Sequence, residues 1–435
     1  MPEQGMVIPL FTEPHGGLRC KAFPKRKLEE LIRNGYGFDG SSCYFCDVED
    51  SDLLAMPDPA TKLELDGHVL LVCDIYKAGE RYELDPRYAL ERAVGRLGEA
   101  GLDVVSGTEM EFYLLDRRSN PGLADPWRYM EPIFPGPGPG LIFGLVEALE
   151  ASGLGIVFFH HEVGPGQYEV TLERADPKGL ADKVVIFKWA ARRWAWERGL
   201  LATFMPKPFI DKPGNGMHIH LSLWRDGKNV TGPGGRKGDG KRIFSEEGQA
   251  FLAGILAHAR GLSVLLSSTV NSYRRLVPRF EAPIYVCWGM GNRSAMVRVP
   301  EHDAARGRLR IEVRSPDPAC NPYLALAGLL AAGLKGIEEG LEAPGPVEEN
   351  VYELGDEELE RLGIERLPAS LGEAVEAARK DGIIKEALGP RLAERYLALK
   401  EEEWKAYLRF LEESGDTEPP SGITSWELEE YLERP

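Results

Sequence analysis

Two spacings of apolar residues alternate along the chain, one of about 3.6 residues and one of two, and the switches between them mark its elements. The first 84 residues are mixed: strand-like runs at 6–11 and 68–75 flank one helical segment, 25–34, which ends at Gly35. Asp85 then stands before Pro86 as cap and first-turn proline, opening an amphipathic helix over 88–99. That junction divides the chain into residues 1–84 and 85–435. Beyond it, helical patterns near 178–199, 246–262, 322–339 and 388–414 alternate with strand-like segments. Residues 106–115 and 309–315 alternate in period two, the mark of antiparallel strands with one wet face. Residues 132–140, PIFPGPGPG, read as a rigid loop. A charged helix and an irregular connection at 418–422 lead to a final segment, 426–432. The most apolar long run, 323–337, carries Gly328, Gly333 and Lys335 and is too short to cross a bilayer.

Composition narrows the function classes. The 435 residues include 52 Lys and Arg against 69 Asp and Glu, a formal charge of −17, so nothing neutralises nucleic-acid phosphates in bulk. An apolar content of 43% excludes global disorder. The start of the chain has neither the basic residues nor the apolar core of a signal peptide, and the expectation is a cytoplasmic protein without membrane partners. Cys43 and Cys46 form a lone CxxC with no second pair, a poor basis for zinc or redox work. The run from Gly235 to Arg242 matches GxxxxGK but ends in Arg where a P-loop needs Ser or Thr, and it reads as a surface loop.

Charged residues at period two carry the chemistry. Glu109 and Glu111 share one strand face, as do His218 and His220, while Arg310, Glu312 and Arg314 do the same with Ile311 and Val313 turned to the core. His160, His161 and Glu162 are separated from Glu169 by Gly164-Pro165-Gly166, a strand, turn and strand that bring the two glutamates near each other. Each segment alone fits an ordinary solvated strand. Together they make an oxygen-rich site with an imidazole, which suits magnesium or manganese. Arg274, Arg275, Arg293, Arg298, Arg310 and Arg314 supply guanidinium forks for phosphate and carboxylate. Metals plus arginines without a P-loop point to phosphoryl transfer on an unusual platform.

Along nearly its whole length the chain resembles a type I glutamine synthetase. The matching motifs are Phe38-Asp-Gly-Ser-Ser42, Gly107-Thr-Glu-Met-Glu-Phe112, His160 through Glu169, Gly214-Asn-Gly-Met-His-Ile-His220, Asn271 through Pro278, Glu281-Ala-Pro283, Asn292-Arg-Ser-Ala295, Arg310 to Arg314 and Pro316 through Leu324. The resemblance implies an α+β fold, with a small β-grasp-like N-terminal domain and a catalytic domain of antiparallel strands in an open barrel surrounded by helices. It implies ATP-dependent ligation of ammonia to L-glutamate through γ-glutamyl phosphate, two or three Mg²⁺ or Mn²⁺ per site, and a homododecamer of two hexameric rings. One metal would be held by Glu111, Glu162 and Glu169, the other by Glu109, His218 and Glu312. Gly214, Arg275, Arg293 and Arg314 match glutamate-site positions, and His220, Ser222, Arg298 and Arg310 positions on the ATP side. Asp39, entering from a neighbouring subunit, would take a proton from ammonium. Glu281 would close over the intermediate, with Arg293 on the transferring phosphate.

Departures cluster around the acceptor. Lys212-Pro213-Gly214 replaces the Asp-Asn-Gly common in glutamine-forming members, and Pro213 offers neither a side-chain amide nor a backbone N–H. Proline here resembles the γ-glutamylamine ligases, so a primary amine is the alternative acceptor. The residues from Cys43 to Asp47 also depart from the usual pattern, and Tyr129 stands for the ammonium-site tyrosine. A catalytically silent relative is a third reading, against which all six metal positions, Asp39 and Glu281 are present. Tyr352 aligns with a tyrosine that some members adenylylate, and the expectation is that it is unmodified.

Overall fold

The computed structural model describes residues 5–117, 122–133, 136–232, 243–278, 280–304, 306–415 and 421–434. The GxxxxGK-like run at 235–242 lies outside the described residues, as does most of the 418–422 connection. The N-terminal part folds into an eight-stranded sheet whose spine runs Leu18–Cys20, Met6–Thr12, His68–Lys77, Asp52–Pro57 and Tyr36–Asp39. Met6–Thr12 and His68–Lys77 pair in parallel, and the crossover between them carries the helix Leu28–Asn34 onto the Asp52–Pro57 strand.

Asp85 caps the next helix as its position predicts, accepting from the Arg87 amide at 3.0 Å ahead of Pro86–Glu99. A ten-stranded sheet follows, in the order Ile156–His161, Gln167–Ala175, Asp103–Asp116, Met217–Arg225, Ile311–Val313, Val297–Val299 and Trp288–Met290. Its pairings are antiparallel except the last. The architecture is α+β: a curled antiparallel sheet with helices behind it. The apolar run expected near 322–339 is the buried helix Pro322–Glu339, packed against Pro86–Glu99 and Glu246–Ala257. Among the described residues no single helix is long and apolar enough to cross a membrane.

Three expectations need correction. The proline-rich run at 132–140 is not all loop, because the helix Pro137–Ala151 begins inside it. Pro137 and Pro139 fall in the first turn, where an amide has no partner within the helix, so they cost it no hydrogen bond. Gly138 packs so closely that a Cβ would lie 2.4 Å from Asp125 Oδ2 and 2.8 Å from the Tyr168 hydroxyl. The helix expected over 246–262 breaks at His258 into two helices bent by 75°. The one expected over 388–414 starts at Pro390, after Gly389 turns the chain at φ 78°.

One buried cation joins the two sheets' supporting layers. Arg87, 2% exposed, donates to both oxygens of Asp182, at 3.0 and 2.8 Å, and to Asp58 and Asp74 in the N-terminal part. Asp182 is also held by the Tyr323 hydroxyl at 2.6 Å. Removing the guanidinium strands buried carboxylates, so Arg87→Met should destabilise the protein by about 3–5 kcal/mol. Adding Asp182→Asn should recover part of that loss in thermal unfolding. Strictly additive losses would mean that the pair is not coupled.

His258 Nδ1 sits 2.8 Å from Asp381 Oδ1, and that hydrogen bond raises its pKa despite partial burial. A raised histidine pKa contributes stability in full below the unfolded value of about 6.5, and the contribution fades as pH rises through the folded value. His258→Gln should therefore lower the thermal midpoint at pH 6 and change it little at pH 9. An equal loss at both pH values would contradict the charged pair.

Candidate active site

Strand register builds the site in rows across the ten-stranded sheet. His160 pairs with Glu169, and Glu169 lies directly opposite Glu111. The next row sets Thr171, Glu109 and His218 side by side, and a further one His220, Glu312 and Arg298. Period-two alternation turns all these side chains to one face, while Met110, Phe112, Ile219, Ile311 and Val313 fill the other. Ligating atoms of Glu109, His218 and Glu312 come within 4.8 Å of one another, as do those of His160, Glu162 and Glu169. Glu111 bridges the groups: its Oε2 accepts the Gly216 amide at 2.7 Å and its Oε1 lies 3.8 Å from His218 Nε2. Gly216 must be glycine for this approach, since a Cβ would lie 2.8 Å from His218 Nε2 and 3.0 Å from Arg275 Nη2.

Like charges facing across a sheet repel, and two kinds of compensation appear. In the Glu109 and Glu312 group the chain supplies its own imidazole and guanidinium partners. Burial opposes ionisation of both, but His220 and His218 hold Glu109 far below the usual carboxylate range. His220, Arg314 and His218 likewise hold Glu312 down at about 2. Glu162 and Glu169 are compensated less: burial first, then the neighbouring glutamates, pushes them up to about 8 and about 9, although Arg293 and the Val163 amide oppose this at Glu162. These carboxylates call for more positive charge than the described residues bring to them. The donor set of carboxylates and imidazole fits hard divalent ions, so the cluster suits the implied metals.

Arg275, Arg293, Arg298, Arg310 and Arg314 stand around this cluster, whereas Arg274 bonds Glu427 and Tyr407 instead. Arg314 Nη1 donates to Glu312 Oε1 at 2.7 Å and Arg298 to Glu312 Oε2. Arg275 reaches the Ser315 and Arg314 carbonyls, each at 2.9 Å. Arg310 Nε donates to His220 Nδ1 at 3.0 Å, and His220 Nε2 is 3.0 Å from Glu109 Oε1. His220, Ser222 and Arg310, expected on the ATP side, line one cavity of about 750 Å³ together with Glu109 and Trp224. The Ser222 hydroxyl accepts from Trp224 Nε1 at 2.9 Å. Arg293 and Glu281 line a second cavity of about 570 Å³, and the charges of both act on Glu162.

The loop holding Gly214 is braced by a residue absent from the expected set. Gln167 Nε2 donates to the Gly214 carbonyl and to Asn215 Oδ1, each at 3.0 Å. The Pro213 carbonyl accepts from the Tyr113 hydroxyl at 2.9 Å. His160, also outside the expected ligands, meets the edge of Tyr129 with ring centres 5.4 Å apart. Its place opposite Glu169 was the signal for it, but only register reveals that. Asp39 is the expected residue that this chain leaves apart. Its exposed carboxylate accepts from Ser41 and Ser42, which keep its pKa low. The loop after it rests on the helix Pro390–Ser414 through Arg395. Cys43 and Cys46 are unpaired and half-buried there. The Tyr352 hydroxyl donates to the Ala282 carbonyl at 2.8 Å.

Known proteins resemble this chain over nearly its whole length. Residues 83–418 match the family model for the glutamine synthetase catalytic domain, and residues 5–78 match that for the glutamine synthetase beta-Grasp domain. A glutamine synthetase of Thermococcus kodakarensis is 40% identical over 437 residues, covering 99% of this chain and 96% of that protein. One of Thermus thermophilus is 39% identical, covering 97% and 94%. Among solved structures, one titled a GmaS/ADP complex has a TM-score of 0.82 at 30% identity, covering 98% and 96% of the two chains. A structure described as a novel glutamine synthase homolog has a TM-score of 0.78 at 29% identity, covering 92% and 94%.

The less compensated glutamates give a direct test. In EDTA at pH 7, Glu169→Gln should raise the thermal midpoint, since it removes a carboxylate that burial and its neighbours disfavour. Millimolar Mn²⁺ should raise the midpoint of the parent protein by several degrees and that of the variant far less. Equal manganese shifts in both would take Glu169 out of the metal site.

Proposed function

Because the chain belongs to the glutamine synthetase family, we propose that it ligates ammonia to L-glutamate, converting ATP to ADP and phosphate and releasing L-glutamine. It is a glutamate–ammonia ligase of glutamine biosynthesis. The observation that carries the reading at the level of chemistry is the set of facing carboxylate rows ringed by arginines.

Glu111, Glu162 and Glu169, with His160 beside them, would hold one divalent ion, and Glu109, His218 and Glu312 a second. Bound there, Mg²⁺ or Mn²⁺ would neutralise phosphate oxygens and keep the transferring group in line. His220, Ser222 and Arg310 bind the ATP side from the cavity they line, and Arg298 from its place on Glu312. Arg275, Arg314 and the Gly214 backbone hold glutamate so that its γ-carboxylate oxygen attacks the terminal phosphorus. The bond to ADP breaks, and Arg293 stabilises the charge on the phosphoryl oxygens. Carboxylate oxygen is a poor leaving group and phosphate a good one. Asp39 takes a proton from ammonium; the ammonia nitrogen then adds to the acyl carbon, and phosphate departs as the nitrogen loses a second proton. Glu281 closes over the acyl phosphate and keeps water from it.

Asp39 reaches the cluster from a neighbouring subunit in this reading, which its exposed position and purely local hydrogen bonds support. A dodecamer of two hexameric rings, a domain division at residue 84, a cytoplasmic location and an unmodified Tyr352 belong to the same proposal. A primary amine as acceptor is the second reading, favoured by Pro213.

The acceptor decides between them. With ATP, glutamate and magnesium, ADP release should saturate with ammonium and yield one glutamine per ADP. Methylamine, ethanolamine and polyamines should support far slower turnover. Saturation by one of those amines, with ammonium inert, would replace the first reading by the second.

A further inference from the structure

Glu281 has a backbone φ of 54°, a left-handed conformation uncommon for glutamate. Two side chains from distant parts of the sequence hold its peptide there. Arg314 Nη2 donates to the Glu281 carbonyl at 3.1 Å, and the Tyr352 hydroxyl donates to the next carbonyl, that of Ala282, at 2.8 Å. Arg314 is itself fixed by Glu312, so the first of these bonds ties the Glu281 backbone to the carboxylate cluster.

The second bond ties it elsewhere. Tyr352 follows Val351, a fully buried residue in a small apolar cluster with Tyr285, Cys287, Ala295 and Val347. The Val351 amide donates to Ser294 Oγ at 3.0 Å, and Ser294 Oγ donates to Asn292 Oδ1 at 2.7 Å. Asn292 Nδ2 in turn reaches the carbonyls of Val347 and Glu349, each at 2.9 Å. Arg293 stands between Asn292 and Ser294, so the turn that presents this guanidinium also seats the phenol. Glu281, Arg293 and Tyr352 line one cavity.

We propose that Tyr352 is a positioning residue that sets Glu281 over the acyl phosphate by fixing the Ala282 carbonyl to the turn carrying Arg293. The inference rests on the reading of Glu281 given above and adds to it the device that holds the closing segment in place. Without the phenol hydrogen bond, the Arg314 bond to the Glu281 carbonyl is the one side-chain hydrogen bond left on these two carbonyls among the described residues. Water then reaches the acyl phosphate, its oxygen adds at the acyl carbon, and phosphate leaves to regenerate glutamate. ATP is consumed with no amide formed.

The readout is therefore the ratio of ADP released to glutamine formed, at saturating ammonium. Tyr352→Phe keeps the ring and removes only the hydroxyl. It should lower kcat for glutamine about fivefold to tenfold, the scale of one hydrogen bond, and raise the ratio from near one to about two or more. The KM for ATP should change little, and a merely structural role would not alter the ratio at an unchanged thermal midpoint. Glu281→Ala is run beside it. If Glu281→Ala uncouples the reaction and Tyr352→Phe does not, the inference is overturned while the reading of Glu281 survives. If Glu281→Ala stays coupled, that reading fails and takes the inference with it. Should phenylalanine lower the midpoint by more than about 5 °C, Ser294→Ala loosens the same seat and leaves the phenol in place. Uncoupling in that variant supports the inference, and full coupling overturns it.

Discussion

Glu111 and Glu169 stand directly opposite each other on paired strands, and much of the site follows from that juxtaposition. Two carboxylates in register on a buried face destabilise a sheet unless positive charge is brought to them. Backbone pairing cannot be adjusted residue by residue, because a one-residue slip would send every glutamate into the apolar layer and every apolar residue out. The sheet must therefore keep the register and tolerate the repulsion. The neighbouring loops respond to it: the Gly216 amide approaches Glu111, which glycine alone permits, and Gln167 braces the turn before it.

Arg87 shows what a fully compensated buried charge looks like in the same chain. Its guanidinium meets Asp182 bidentately and reaches two further aspartates, with nothing left to an outside ion. The active-site face is different by degree across its width. Near Glu312, two arginines and two histidines stabilise the ionised carboxylate. Near Glu162 and Glu169 the balance tips toward the neutral acids. An external cation has most to gain on that side. A chain with a formal charge of −17 can then handle polyphosphate, since the sign of the field is set locally by ions and guanidinium groups.

The elements that sequence reasoning reached share one property: their signal is local. Glu109 with Glu111, and Arg310 with Glu312 and Arg314, share a face because adjacent side chains on a strand alternate. The cap at Asp85 is equally short-ranged. What escaped it depends on exact register or on partners far along the chain. The hairpin around Gly164-Pro165-Gly166 was legible, but that it sets His160 opposite Glu169 was not. Gln167 matters because it reaches a turn at Gly214, 47 residues on, and nothing near Gln167 marks that contact. The helix at Pro137–Ala151 was hidden for another reason, since prolines that suit a first turn look like loop until the buried Leu141, Ile142, Leu145 and Leu149 behind them are seen. Asp39 could be named from its motif, but no hydrogen bond among the described residues carries it to the cluster.

The two halves of the reaction consequently rest on structure of different stiffness. In the proposed mechanism phosphoryl transfer is served mainly by side chains on paired strands, whose positions the sheet fixes. Amide formation in the same mechanism depends on Asp39, at the end of the strand Tyr36–Asp39, and on Glu281 and the Pro213 turn, which lie on loops that hydrogen bonds from Arg314, Tyr352 and Tyr113 hold. Loops can change without disturbing register, so the identity of the acceptor can shift while the chemistry of activation stays constant. A proline at position 213 is a change of that kind. It removes an amide donor beside Gly214, where the proposed mechanism places glutamate, and leaves every row of carboxylates where it was.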